Sequence, residues 1–230
     1  MALGMNNDKY DYILSKLHPY NITKNNTIFE WHQDFIENEP GHRHLSHMYS
    51  LYPGEEIDFK SKLAPYFYNT IERRLENGSG QTGWSKAWIT CLVARLHKEK
   101  ETYKLFKEWI KNSTSKSLLD LHPPFQIDGN FGIATAIRLM FFESREDGLE
   151  LLPSLGTYLK YYKLSNFRLK NDLMLDLEYQ NKYLEFNIIS NVEMDYLIYF
   201  KDKEFKIKLK KGDNYYYFDL NKKEIEILTD

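Results

Sequence analysis

The sequence predicts an α+β fold, a helical part followed by a small antiparallel β domain, and three observations carry that reading. Apolar residues recur at helical spacing through the first 150 residues. After Tyr161 the pattern changes to short runs in which apolar and polar residues alternate. Between them, Leu121-His122-Pro123-Pro124-Phe125-Gln126-Ile127-Asp128-Gly129-Asn130-Phe131-Gly132 breaks regular structure and then opens a helix. Adjacent prolines forbid a helix or a central strand, and the apolar run Ile133 to Phe142 follows at once. The expected division is residues 1–150 as a helical domain and residues 151–230 as a β-sandwich-like domain.

Taken in order, Asp8 to Leu17 is a short amphipathic helix stopped by His18-Pro19. Residues 20–42 read as loop, and Arg43 to Tyr52 as a helix halted by Pro53-Gly54. Leu63, Phe67, Thr70, Ile71 and Leu75 mark the next helix, which Gly78-Ser79-Gly80 ends. Trp84 to Leu96 is a further helix, Tyr103, Phe106, Trp109 and Ile110 stripe another, and Phe131 to Phe142 is the last. Leu151 to Gly156 reads as a linker. Among the strands, Phe205, Ile207 and Leu209 alternate with Lys206, Lys208 and Lys210, giving one apolar face and one solvated lysine face. Leu184 to Ile188 and Tyr215 to Phe218 are further strands.

A chain of 230 residues has room for a substantial core, and 42% hydrophobic with 28% charged residues fits a globular protein. The net charge of −2 argues against nucleic acid or an anionic membrane as the main partner. No apolar run approaches the roughly 20 residues of a spanning helix. The single cysteine, Cys91, excludes an internal disulfide framework and falls on an apolar helix stripe, as a buried small hydrophobe would. Met1 to Met5 is too short for the apolar core of a signal peptide, and the compartment stays open.

Polar and aromatic residues cluster at loops and helix starts. His42, His44 and His47 lie within six residues, a spacing that zinc sites use, with His44 and His47 expected on one helix face. Arg43 lies between the first two, so hydrogen bonding is preferred to metal ligation and no cofactor is expected. No Gly-x-Ser-x-Gly elbow and no phosphate-binding glycine loop occurs. Two carboxylates remain. Glu30 sits between Phe29 and Trp31, whose rings would desolvate it, an environment that suits a general acid. Asp128 stands just before a helix, whose dipole would keep it ionised, as a general base requires. Opposite surroundings for two carboxylates are what glycosidic bond cleavage uses. The plainer alternatives are a surface carboxylate for Glu30 and an N-cap for Asp128. Trp31, Trp84 and Trp88 are candidates to stack on a sugar, or are core. His42, Arg43, His44 and Lys86 are candidates to bind hydroxyls, or are structural.

Six blocks in order resemble glycoside hydrolase family 95, the inverting α-L-fucosidases. They are Glu30-Trp31, His42 to His47, Leu51-Tyr52-Pro53-Gly54, Thr82 to Trp88, His122 to Gly132, and Leu151-Leu152-Pro153. The resemblance covers roughly residues 10–155. It implies a portion of an (α/α)6 barrel, a six-hairpin toroid, followed by a small β domain. It further implies Glu30 as general acid and Asp128 on the base side, with Trp31, His42, Arg43, His44, Trp84, Lys86, His122 and Asn130 around the substrate. That substrate is a fucosylated oligosaccharide or polysaccharide, typically α1,2-linked, with L-galactose an alternative sugar. The family's enzymes are several times longer, and the asparagines that assist their base lie outside the matching blocks. The expectation is therefore a C-terminal fragment of a fucosidase, weakly active or inactive alone. Its exposed apolar faces would associate with themselves or with the family's N-terminal half. A non-catalytic carbohydrate-binding or assembly module is the alternative, and a histidine-cluster metallohydrolase is a third.

Overall fold

The computed structural model describes residues 8–156, 158–180 and 182–228, so Met1 to Met5 lies outside them. The fold is α+β, and the chain divides into two compact units, residues 1–79 and 80–230.

The first unit contains α1 (Asp8–Lys16), a single 3-10 turn (Ser46–Met48) and α2 (Ala64–Glu76). The continuous helix expected over Arg43 to Tyr52 is not formed. Leu45, Met48 and Leu51 are each fully buried at a spacing of three, which suits tight turns rather than a 3.6-residue period. α2 buries Ala64, Phe67, Thr70, Ile71 and Arg74 along one stripe. It ends where Gly78 takes a φ of 95° and the Ser79 N–H donates to the Arg74 carbonyl at 2.9 Å.

In the second unit α3 (Gly83–Arg95) packs against α4 (Glu99–Asn112) and α5 (Ile127–Phe141). α3 is buried nearly all round. α5 turns Gly129, Ile133, Ala136 and Met140 inward. A Cβ on Gly132 would stand 3.0 Å from that of Ala87, so the small residues of the Asp128 to Gly132 segment let α5 approach α3 closely. α5 begins at Ile127, four residues before the expected start at Phe131. Its N-cap, Gln126, is extended, and Asp128 occupies the first turn rather than a position before the helix.

Strands begin directly after α5. β1 (Phe142–Ser144) starts on the last residue of the expected helix, and β2 (Gly148–Leu151) ends on the first residue of the expected linker. The remaining strands are β3 (Tyr161–Arg168), β4 (Met174–Gln180), β5 (Tyr183–Ile189), β6 (Met194–Phe200), β7 (Lys203–Leu209), β8 (Tyr215–Asp219) and β9 (Glu224–Ile227). One sheet has the order β1-β2-β6-β7, the other β3-β4-β5-β8-β9. The expectation of purely antiparallel pairing is corrected at one place: β2 and β6 run parallel, Leu149 opposite Ile198. Leu175, Leu177, Leu184, Phe186 and Phe218 of one sheet share a core with Leu149, Ile198 and Leu209 of the other. Lys206 and Lys208 face solvent, as their alternation requires. Residues 151–156 are no slack linker: Leu155 is buried, and the Ser154 hydroxyl pairs with Thr102 on α4 at 2.8 Å.

Candidate active site

Arg74 explains the placement of Glu30. It occupies the buried stripe of α2 and is 3% exposed, so its guanidinium needs an anionic partner. The chain supplies one through the turn at residues 22–28. Ile22 and Ile28 form a β-bridge, and the Ile28 N–H donates to the Thr70 hydroxyl at 2.9 Å. Thr70 lies one helical turn before Arg74, so the fastened strand delivers Glu30 to the guanidinium. Arg74 Nη2 then donates to Glu30 Oε2 at 2.5 Å, and Arg74 Nη1 to the Glu39 carbonyl at 3.3 Å. Arg73 holds Glu37 alongside.

His47 completes this wall, its Nδ1 4.0 Å from Glu30 Oε1. Burial, and after it the positive charge of Arg74, pushes the His47 imidazole down to about 4, so the ring is neutral at pH 7. The surroundings differ from those expected. Trp31 is 65% exposed and does not enclose the carboxylate, which is held by an ion pair instead. Glu30, Trp31, His47 and Arg74 line a recess of ≈ 210 Å³ together with Phe35 and Ile36. His42, Glu30 and Trp31 line a wider, more open hollow beside it. The His42 and His44 rings stack at 5.0 Å, while His47 turns to Glu30, so the three imidazoles do not converge on one point. Burial, then the neighbouring His42 and Arg43, holds His44 below the ordinary histidine value.

Asp128 belongs to the second unit. It is exposed in the first turn of α5, where the helix dipole favours a negative charge. Phe125, Ile127 and Phe131 around it are each at least half exposed, an apolar rim on a carboxylate. Asn130 is a fastener: its Oδ1 accepts from the Asp120 N–H at 2.9 Å and its Nδ2 donates to the Leu118 carbonyl at 2.6 Å. Lys86 pairs with Glu108 at 2.9 Å, and His122 Nδ1 lies 3.2 Å from the Pro124 carbonyl. Trp84 and Trp88 are half-buried on one side of α3. The start of α3 is fixed by the fully buried Trp109, whose indole N–H donates to the Gly83 carbonyl at 2.8 Å. Cys91 is buried, its thiol pushed up to about 12 by desolvation.

Two residues escaped sequence reasoning. Arg74 left a legible sign, a charge on the apolar stripe of α2, which calls for a buried partner. Asp120 left none, because what surrounds it is assembled only in three dimensions.

The model of the Glycosyl hydrolase family 95 catalytic domain matches residues 4–141, a span holding both Glu30 and Asp128. An Alpha-L-fucosidase 2 from Arabidopsis thaliana is 35% identical over 170 residues, which are 66% of this chain and 20% of that protein. A Probable alpha-fucosidase A from Aspergillus niger is 32% identical over 127 residues, 52% of this chain and 16% of that protein. The chain thus spans about a fifth of the length of these curated relatives. Among solved structures, a Putative kojibiose phosphorylase from human microbiome aligns with a TM-score of 0.47 at 16% identity, covering 72% of this chain and 24% of that one.

Proposed function

We propose a function on the premise that this chain belongs to glycosyl hydrolase family 95: it supplies part of the catalytic machinery of an inverting α-L-fucosidase acting on α1,2-linked L-fucose of glycans. Residues 1–150 are read as a portion of the (α/α)6 catalytic barrel, and residues 151–230 as its β-sandwich-like companion. Glu30 is the general acid and Asp128 the carboxylate on the base side. Water attacks the anomeric carbon and gives its proton to Asp128, while Glu30 protonates the departing glycosidic oxygen.

One observation carries the assignment of Glu30. Its carboxylate is fixed on the wall of a recess by the buried Arg74. Arg74 occupies Oε2 and the neutral His47 lies beside Oε1, so the acid role requires Oε1 to carry the proton in the substrate complex despite the guanidinium. An open Trp31 at the recess supports a stacked sugar face.

The test uses the 230-residue chain and 2′-fucosyllactose. Calorimetry is expected to detect binding, and fucose release to stay negligible, because the family's water-positioning asparagines are not among the matching blocks. Turnover at the rate of a whole enzyme overturns the expectation that this chain is inactive alone. In the entire catalytic domain, turnover that Glu30→Gln and Asp128→Asn abolish with binding retained upholds the two carboxylates, whereas binding with no turnover in the unaltered domain favours the sugar-binding module. Neither binding nor turnover overturns the sugar site.

A further inference from the structure

Eight residues before Asp128, the second unit holds another carboxylate, the buried Asp120. Its side chain is 5% exposed, and neither oxygen accepts a hydrogen bond from the described residues. The residue before α5's loop is nonetheless held hard in place. Thr114 and Asp120 form a β-bridge, the following Leu121 N–H donates to the Ser113 carbonyl at 3.0 Å, and Asn130 receives the Asp120 N–H. The carboxylate that this fixes lies directly against two glycines. One is Gly83, the first residue of α3, whose missing Cβ would fall on Oδ1. The other is Gly129, in the first turn of α5, whose missing Cβ would fall on Oδ2. The two helix starts are themselves adjacent, with the Trp84 backbone nitrogen 3.2 Å from that same Gly129 Cβ position.

Only glycine at both positions admits an acid there. The positive ends of two helices meet a single buried negative group, an arrangement in which each dipole favours the anion. Trp84 and Lys86 stand on one of those first turns, and Asp128 and Asn130 on the other.

We propose that Asp120 is a positioning residue of this site: its carboxylate binds the starts of α3 and α5 to one another and thereby sets where Trp84 stands relative to Asp128. The inference rests on the sugar-site reading given above for Asp128 and its neighbours. Burial pushes the Asp120 carboxyl above its usual range. The backbone N–H groups of His122 and Leu121 draw it back without reaching regular hydrogen-bond geometry, and the Asp128 charge raises it further.

The experiment takes the whole 230-residue chain with L-fucose as probe. Asp120→Asn keeps the shape and removes the charge. It is expected to weaken fucose binding about tenfold, as loss of a charge at two helix starts implies, with the circular dichroism of the native protein retained. Asp120→Gly leaves a space between the same two helix starts. Added formate is expected to restore the affinity, and neutral formamide is not, which a merely space-filling role would not produce. Amide resonances of Trp84 and Gly129 are to move in both variants and, in Asp120→Gly, to return with formate. Affinity unchanged in Asp120→Asn, or equal rescue by formate and formamide, overturns the proposal. A native chain that binds no fucose overturns the sugar-site reading instead. The Trp84 and Gly129 resonances then decide Asp120 by themselves: movement reversed by formate upholds its hold on the two helices, and unmoved resonances refute it.

Discussion

Acidification should expose the cost of keeping His47 neutral. The imidazole is buried beside Arg74 and lowered to about 4, whereas in the unfolded chain it titrates near its ordinary 6.5. Above pH 6.5 neither state binds the proton, and stability is complete in this respect. As pH falls from 6.5 toward 4 the unfolded chain takes up a proton that the folded chain refuses, so stability is lost across that window and no further below it. Each tenfold rise in proton concentration within the window costs about 1.4 kcal/mol. Going from pH 7 to pH 5 therefore removes about 2 kcal/mol through this one residue. With a urea slope of about 2 kcal/mol per molar, the unfolding midpoint falls by about 1 M on that account. His47→Gln puts a neutral amide in the same place. Equilibrium urea unfolding of both proteins at pH 7 and pH 5 isolates the contribution, since the remaining titrating groups are shared. Equal midpoint shifts in the two proteins would refute the reasoning and show His47 to be open to protons in the folded state.

Other substitutions test the remaining anchors. Arg74→Met should destabilise by about 3–5 kcal/mol, because Glu30 would lose the cation that holds it, and chemical denaturation would register the loss. Trp109→Phe removes the buried indole N–H bond to Gly83 and should cost about 1–3 kcal/mol, visible as a lower melting temperature. Gly83→Ala drives a methyl into the Asp120 carboxylate and should cost about 1–3 kcal/mol, whereas Ser117→Ala on an exposed turn should be within about 0.5 kcal/mol of neutral. The Cys91 thiol, pushed up to about 12 and buried, should ignore iodoacetamide at pH 8 until urea unfolds the chain, as mass spectrometry would record.

Legibility in the sequence followed the range of the interactions involved. α2 and α4 were readable because their apolar stripes repeat at helical spacing within a few residues. The segment from Arg43 to Tyr52 misled because its buried Leu45, Met48 and Leu51 are spaced for turns, a difference of half a residue per turn that three positions cannot resolve. Asp128 was singled out by a local motif, but its place inside the first turn depends on Gln126 taking the extended N-cap conformation. β1 and β2 were hidden because Phe-Glu-Ser and Gly-Leu-Glu-Leu are too short to show an alternating period. Arg74 with Glu30 joins residues 44 apart, and Asp120 with Gly83 joins residues 37 apart. Such meetings are decided by packing, which no window of neighbouring residues contains.

The parallel contact of Leu149 with Ile198 has a bearing on how the polypeptide comes off the ribosome. Vectorial synthesis releases Gly148–Leu151 long before Met194–Phe200, and the two edges between which β2 finally lies are β1, already emerged, and β6, still to come. Until then the nascent chain carries a four-residue strand with one side unzipped, while the second sheet can begin assembling from consecutive antiparallel neighbours. Chaperone engagement during translation is thus to be sought in the interval between those two segments.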